Sequence, residues 1–307
     1  MKTKYDVLII GCGPAGMGAS LILKENNIDF AIIEKSTPGG KVNIAPRVDN
    51  YPGFKQIPGP DLAIALFQRV MDKGIELISD EVLSLTQNED KTFHLKCSYN
   101  EYDAKAVLIA SGTRERKLGF DNEDKLLGHG LSYCALCDGH FFKDQVVACI
   151  GGGNVALKDA IYLSKICKKV YLIHRRNEFR GEPRYVNEAK GLENVEIITP
   201  YIPLEILEEN DHVCGLLIQN REDDSKKTLT IDGVFPLIGQ DANSEFVNVE
   251  GVKNEWGNIP FNKDMSTGVK GLFTGGDVTP REVRQIYLAE HDGKVAAKSI
   301  IEFLKEE

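Results

Sequence analysis

One pattern occurs twice in this chain and limits what it can fold into. VLIIGCGPAGMGASLILKENNIDFAIIEK begins at Val7, and VACIGGGNVALKDAIYLSKICKKVYLIHRR begins at Val147, 140 positions later. Each copy opens with an apolar strand and turns on Gly-x-Gly-x-x-Gly/Ala, at Gly11, Gly13 and Gly16 and again at Gly151, Gly153 and Ala156. Each continues as an amphipathic helix and returns in a second apolar strand. This is the βαβ dinucleotide-binding unit: the first glycine permits a tight turn, the second lets a pyrophosphate approach the backbone, and the third keeps helix and strand close. The anion then rests on helix N–H groups. The residue closing each second strand separates the copies. Glu34 is placed to accept from a ribose 2′-hydroxyl, whereas His174, followed by Arg175, Arg176 and Arg180, forms a basic group suited to a 2′-phosphate.

A chain of 307 residues is long enough for two such domains. Its net charge of -9 argues against a large basic face for nucleic acid. No run reaches the roughly 18 apolar residues of a spanning helix. Two lysines precede an apolar run, but that run, Val7 to Ile10, is shorter than the roughly 7–15 residues of a secretory leader core, so the expected address is the cytoplasm. Seven scattered cysteines do not form a disulfide framework.

Between the copies, a loop rich in Gly, Pro and Asn (36–54) precedes a predicted helix from Asp61 to Lys73, strand-like stretches near Ile75–Leu85 and Thr92–Ser98, and the strand AVLIAS ending at Gly112. Beyond the second copy, strands are expected near Val195–Ile198, Val213–Gln219 and Val234–Gly239. The segment GLFTGGDV then places Asp277 where an apolar strand ends. If that strand completes the first sheet, the second domain is an insertion in the first.

The stretch SYCALCDG sets Cys134 and Cys137 two residues apart, with Asp138 next. Zinc would want four ligands, yet only His140 and His129 lie nearby and there is no second Cys-x-x-Cys. Two inert core thiols are the other alternative. A redox dithiol leads, because this spacing lets the sulfurs meet at about 2 Å in one tight turn that opens and closes without large backbone motion. Asp138, with its pKa raised by burial, would give a proton to a departing thiolate and take it back. HFFKDQVVACI soon becomes strand, so at most one helical turn supports the pair.

Gly11-Cys12-Gly13-Pro14-Ala15-Gly16, Glu34, Pro38-Gly39-Gly40, Asn50-Tyr51-Pro52-Gly53-Phe54, Cys134 to Gly139, His174 to Arg180, Gly276-Asp277 and Arg284-Gln285 together resemble the low-molecular-weight thioredoxin reductases, in order and over nearly the whole chain. The resemblance implies an α/β protein with two Rossmann-like domains, an NADPH domain (115–242) carrying the dithiol and inserted in a discontinuous FAD domain (1–114 and 243–307). It implies a homodimer with thioredoxin as protein substrate, no nucleic acid and no membrane. Electrons would pass from NADPH through FAD to Cys134–Cys137 and on to thioredoxin. FAD would lie on Gly11, Gly13, Pro14, Ala15, Gly16, Glu34, Lys35, Gly40, Asn50, Gly112, Gly276, Asp277, Arg284, Gln285 and Ile286. Within that set Glu34 would take the ribose, Asp277 the ribityl chain, and the backbone around Gln285 the flavin ring. NADPH would lie on Gly151, Gly153, Asn154, Val155, Ala156, His174, Arg175, Arg176 and Arg180. The family turns its NADPH domain between two settings, which would put hinges near Gly112–Arg116 and Pro236–Asn243. This chain departs from the family at Val155, which lacks the usual hydroxyl, at Lys41, which replaces a common Gln, and at Ile286, Glu290 and His291, where small residues are usual. The same scaffold would also serve a ferredoxin donor or a peroxiredoxin-type acceptor, and a non-catalytic nucleotide- or zinc-binding sensor is the alternative outside enzymes.

Overall fold

The computed structural model describes residues 2–45 and 47–306. In chain order, strand β1 (Lys4–Ile10) leads through helix α1 (Pro14–Glu25) to β2 (Phe30–Glu34), followed by α2 (Gly59–Asp72), β3 (Leu77–Ser79), β4 (Val82–Gln87), β5 (Phe93–Cys97), β6 (Glu101–Ile109) and β7 (Thr113–Glu115). The inserted part contains α3 (Glu123–Leu126), α4 (Ala135–Asp138), β8 (Val146–Ile150), α5 (Asn154–Ser164), β9 (Lys169–Ile173), α6 (Pro183–Lys190) and β10 (Val195–Ile198). It continues with β11 (Tyr201–Glu209), β12 (His212–Asn220), β13 (Lys226–Thr230), β14 (Gly233–Pro236) and β15 (Gln240–Ala242). The chain then returns through β16 (Leu272–Thr274) to the C-terminal helix α7 (Ile286–Glu306).

Two compact units result, 2–114 with 241–306 and 115–240. The first unit is built on the order β3-β2-β1-β6, with β16 parallel to the second half of β6 and the β4–β5 hairpin antiparallel to its first half. Pairing of Leu272 with Val107 and Thr274 with Ile109 makes the last strand of the chain complete the first sheet, so the second unit is an insertion. β1 carries side chains buried on both faces, as parallel strands covered by helices do. Val7 and Ile9 join the layer of α1, α2 and α7, while Leu8 and Ile10 join the core beneath β4, β5 and the Val247–Ile259 segment.

The second unit repeats the arrangement with fewer strands, β10-β9-β8-β14, all parallel. An antiparallel meander β11-β12-β13 packs through Ile206, Leu216, Ile218 and Leu229 onto the sheet face of Ala148, Ile150 and Ile173. On the other face Ala156, Leu157, Ala160 and Leu163 of α5 cover Val147, Cys149 and Leu172. Of the meander, β12 falls on the strand expected at Val213–Gln219, whereas β11, β13 and the three-residue ribbon β7–β15 lie outside the strands expected from sequence. Pro203 and the acidic residues Glu205, Glu208 and Glu209 of β11 hide its alternation, and a three-residue strand is too short to show one.

Candidate active site and nucleotide sites

The dithiol is a closed bridge. Cys134 and Cys137 are disulfide-bonded with Cα atoms 5.3 Å apart, Cys134 at the N-cap of the four-residue helix α4 and Cys137 within it. Both are half-buried, with Leu136 exposed between them. The Cys137 N–H points at Cys134 Sγ, 3.2 Å away, so a backbone donor already faces that sulfur. Behind the turn, Asp138 is buried; its Oδ2 accepts from Ser132 Oγ at 2.6 Å, and its Oδ1 has no hydrogen-bond partner among the described residues. Burial pushes the Asp138 carboxyl above the ordinary aspartate value, and the hydrogen bond from Ser132 and the nearby His140 only partly oppose it. A raised pKa and an unpartnered oxygen are the properties that proton exchange with a sulfur needs.

The polypeptide leading into the bridge is fixed by a carboxylate that sequence reading missed. Glu123 is buried at 2% exposure and accepts the backbone N–H groups of Leu118, Gly119 and Phe120 at 3.0, 2.6 and 2.8 Å, and the Tyr133 hydroxyl at 2.8 Å. Such a residue has no local signature, because its partner Tyr133 lies ten positions away.

The first glycine turn is shaped for a dinucleotide. Gly11 adopts φ +104°, and a Cβ there would lie 2.5 Å from the Ala110 carbonyl, so only glycine fits. At Gly13 the position of a Cβ meets nothing within 4 Å, leaving open space at the start of α1, where Pro14 takes the first helical position. Glu34 Oε2 accepts the Cys12 N–H at 2.7 Å and its Oε1 the Ser36 N–H at 2.9 Å, which pins the end of β2 to the glycine turn. Gly39 donates to the Cys12 carbonyl at 2.7 Å, and Gly40 follows beside Gly13. Lys35 points away and pairs with Glu81 at 3.2 Å.

On the same sheet edge, Asp277 follows β16 and Gly276 and pairs with Lys41 Nζ at 3.4 Å; Lys41 also donates to Thr113 Oγ1 at 3.0 Å, next to Gly112. Asn50 Nδ2 donates to Gln285 Oε1 at 2.7 Å, joining the Asn-Tyr-Pro-Gly loop to the residue before Ile286, where α7 starts; Arg284 is the residue before that. Glu290 accepts from the Tyr51 hydroxyl and pairs with Lys294 at 2.6 Å and Arg69 at 3.6 Å. The departure at Glu290 is therefore satisfied inside the fold. The open glycine turn, Glu34, Asp277 and Gln285 converge on one edge, and this set fits FAD.

At the second turn the Gly153 Cβ position also meets nothing within 4 Å. Asn154, the first residue of α5, exchanges hydrogen bonds with Glu182, and Val155 is exposed at 56%. The arginine loop folds back over this turn: the N–H groups of Arg180 and Gly181 donate to the Gly152 carbonyl at 2.8 and 3.1 Å. Arg175, Arg176 and Arg180 are exposed and form no ion pair among the described residues. A 2′-phosphate is the partner such a group lacks, so the set fits NADPH. His174 differs from the expectation drawn from its place beside the arginines. Its ring is 5% exposed, stacks on Phe179 at 5.2 Å and lies against Gly152. Burial, and then the three arginines, lower its pKa against a backbone hydrogen bond at Glu178, so the ring is neutral at physiological pH and adds no charge to the arginine group.

Known proteins bear on the assignment. A thioredoxin reductase from Mycoplasma pneumoniae is 40% identical over 301 residues, covering 98% of this chain and 95% of that protein. One from Bacillus subtilis is 35% identical over 302 residues, with 98% and 95% covered. The crystal structure of thioredoxin reductase from Streptococcus pyogenes superposes with a TM-score of 0.92 at 34% identity, over 100% of both chains. The family described as pyridine nucleotide-disulphide oxidoreductase matches residues 5–293. With both glycine turns open and a closed cysteine bridge in the inserted unit, this chain belongs to the pyridine nucleotide-disulphide oxidoreductase family.

Proposed function

We propose that this chain is an NADPH-dependent thioredoxin reductase. The observation that carries the reading is the half-buried Cys134–Cys137 bridge backed by the buried Asp138 carboxyl, in the unit whose glycine turn is covered by a loop with three exposed arginines that form no ion pair among the described residues. FAD belongs to residues 1–114 and 243–307, on Gly11 to Gly16, Glu34, Lys35, Gly40, Asn50, Gly112, Gly276, Asp277 and Arg284 to Ile286. NADPH belongs to residues 115–242, on Gly151, Gly153 to Ala156, His174 and the three arginines. When bound, the two cofactors supply a hydride and relay its electron pair. The chain's residues do the rest. Cys134 and Cys137 accept the pair as their S–S bond breaks; Asp138 protonates one departing sulfur and is reprotonated from solvent, and the proton delivered with the hydride reaches the other. The dithiol then attacks the thioredoxin disulfide, returning to the bridged form as the pair and two protons pass to thioredoxin.

The enzyme acts as a homodimer in the cytoplasm. Supporting that address, four of the five remaining cysteines are buried free thiols, and no helix among the described residues is long and apolar enough to cross a membrane. The arginine group supports NADPH over a ferredoxin donor. The purified protein should be yellow and bleach with NADPH. The Cys134→Ser/Cys137→Ser protein should still bleach yet fail to reduce thioredoxin. A colourless protein, or a double variant that still reduces thioredoxin, removes the proposal.

A further inference from the structure

Two successive residues of the loop 47–58 reach the same helix. Asn50 Nδ2 donates to Gln285 Oε1 at 2.7 Å, just before α7, and the Tyr51 hydroxyl donates to Glu290 within α7. The two contacts differ in kind. Asn50 is exposed, and a side-chain hydrogen bond in water competes with solvent on nearly equal terms, so it persists only where the backbone behind it is already ordered. Tyr51 is 8% exposed and belongs to the apolar layer that includes Leu62, Leu66 and Ala289. Val48 and Ile57 exchange backbone hydrogen bonds at 2.7 and 3.1 Å, and the Phe54 N–H donates to the Tyr51 carbonyl at 3.2 Å. These bonds close the loop on itself without tying it to α7. The Tyr51 hydroxyl supplies that tie.

We infer that Glu290 is a positioning residue for the flavin site: it fixes Tyr51, Tyr51 fixes the loop, and the loop holds Asn50 against Gln285. The acceptor itself cannot drift. A Cβ at Gly18 would come within 2.5 Å of the Glu290 carbonyl, so α1 and α7 meet backbone to backbone at this residue. The Glu290 side chain is 8% exposed and paired with Lys294 of α7 at 2.6 Å and Arg69 of α2 at 3.6 Å. Burial works against its charge, yet Lys294, the Tyr51 hydroxyl and Arg69 outweigh it and hold the carboxyl below the usual glutamate value. Tyr51, pushed up to about 12 by burial and then by Glu290, keeps its proton. An anion therefore accepts from a neutral donor out of water, a stronger bond than the exposed amide pair can make. Gln285 and Glu290 stand five residues apart, and the adjacent Asn50 and Tyr51 span them.

This role rests on Gln285 lying in the FAD site, and the test separates the two ideas. Tyr51→Phe removes one oxygen, keeps the ring in the apolar layer and leaves Glu290 paired with Lys294 and Arg69, so it perturbs the fold least. A hydrogen bond to a charged group is worth about 10–10²-fold in an equilibrium. FAD should therefore leave the Tyr51→Phe holoprotein about tenfold faster than the parent, read as flavin passing into the ultrafiltrate after dilution. Glu290→Ala and Asn50→Ala should change release in the same direction. Because the three residues act in series, Tyr51→Phe combined with Asn50→Ala should release FAD no faster than the faster of the two single variants. The flavin absorption band should be displaced alike in Tyr51→Phe, Asn50→Ala and their combination, which a loss of stability alone would not produce. Release from Tyr51→Phe at the parental rate overturns the inference. So do effects of Tyr51→Phe and Asn50→Ala that multiply, or a band that stays where the parent has it. A parent protein without flavin removes the FAD reading and this role with it, whereas a flavin-bearing parent with indifferent variants removes this role alone.

Discussion

Replacing Arg175 and Arg176 together by alanine isolates the term that should separate NADPH from NADH. Both side chains are exposed and without an ion pair among the described residues, so no internal partner is orphaned by their removal and the fold should be indifferent. A hydrogen bond to a charged group contributes about 1.5–3 kcal/mol, and exposure argues for the lower end. Two contacts at about 1.5 kcal/mol each give about 3 kcal/mol, or roughly 10²-fold in kcat/KM for NADPH. NADH carries a hydroxyl where NADPH carries the phosphate, so its kcat/KM should change less than about twofold on the same scale. Arg180 remains, anchored through its own N–H to the Gly152 carbonyl, and its further removal should abolish what preference is left. Steady-state rates with each nucleotide at two ionic strengths are the assay. The loss should shrink as salt screens the phosphate, because these contacts lie in solvent. Equal losses for NADPH and NADH, or no loss for NADPH, would refute the reasoning: the arginines would then be an ordinary solvated loop.

Other outcomes follow from the same geometry. Asp138→Asn should slow opening of the bridge by about 10²–10³-fold, as loss of a positioned acid does. The same change should raise stability at neutral pH, because a carboxyl whose folded pKa exceeds its unfolded value stabilises the fold in acid and loses that contribution as pH rises through the folded value; denaturation midpoints near neutrality and in acid check the sign. Glu123→Gln leaves the amide nitrogen facing backbone donors; losing one charged hydrogen bond and leaving one group unsatisfied should cost about 3 kcal/mol, or roughly 10²-fold faster labelling of the buried Cys149 and Cys167 thiols. Gly11→Ala should destabilise the first unit, because its Cβ meets the Ala110 carbonyl, whereas Gly13→Ala should fold normally and lose flavin on dialysis. Equal stability of the two glycine variants would contradict that division.

The parts legible in the sequence are those whose cause is local. The stretches Val7–Ile10 of β1, Phe30–Ile33 of β2, Val146–Ile150 of β8 and Val170–Ile173 of β9 are apolar because both faces of a parallel strand are covered, and the glycine turns announce themselves because no other residue fits at Gly11. The α2 helix begins two residues before the expected Asp61, since Gly59 and Pro60 already turn. What stayed hidden acts at a distance. His174 reads as one of a basic group, yet tertiary packing on Gly152 and Phe179 removes it from water and from charge. Ser132, six positions before Asp138, reads as a loop serine until the turn brings its hydroxyl to the carboxyl. Glu123 looks like an ordinary helix-surface acid, and only the folding back of residues 118–120 and the approach of Tyr133 give it buried partners. The Cys-x-x-Cys spacing thus fixes that a bridge can form. The carboxyl next to it, Asp138, has its ionisation set by burial that no local motif encodes.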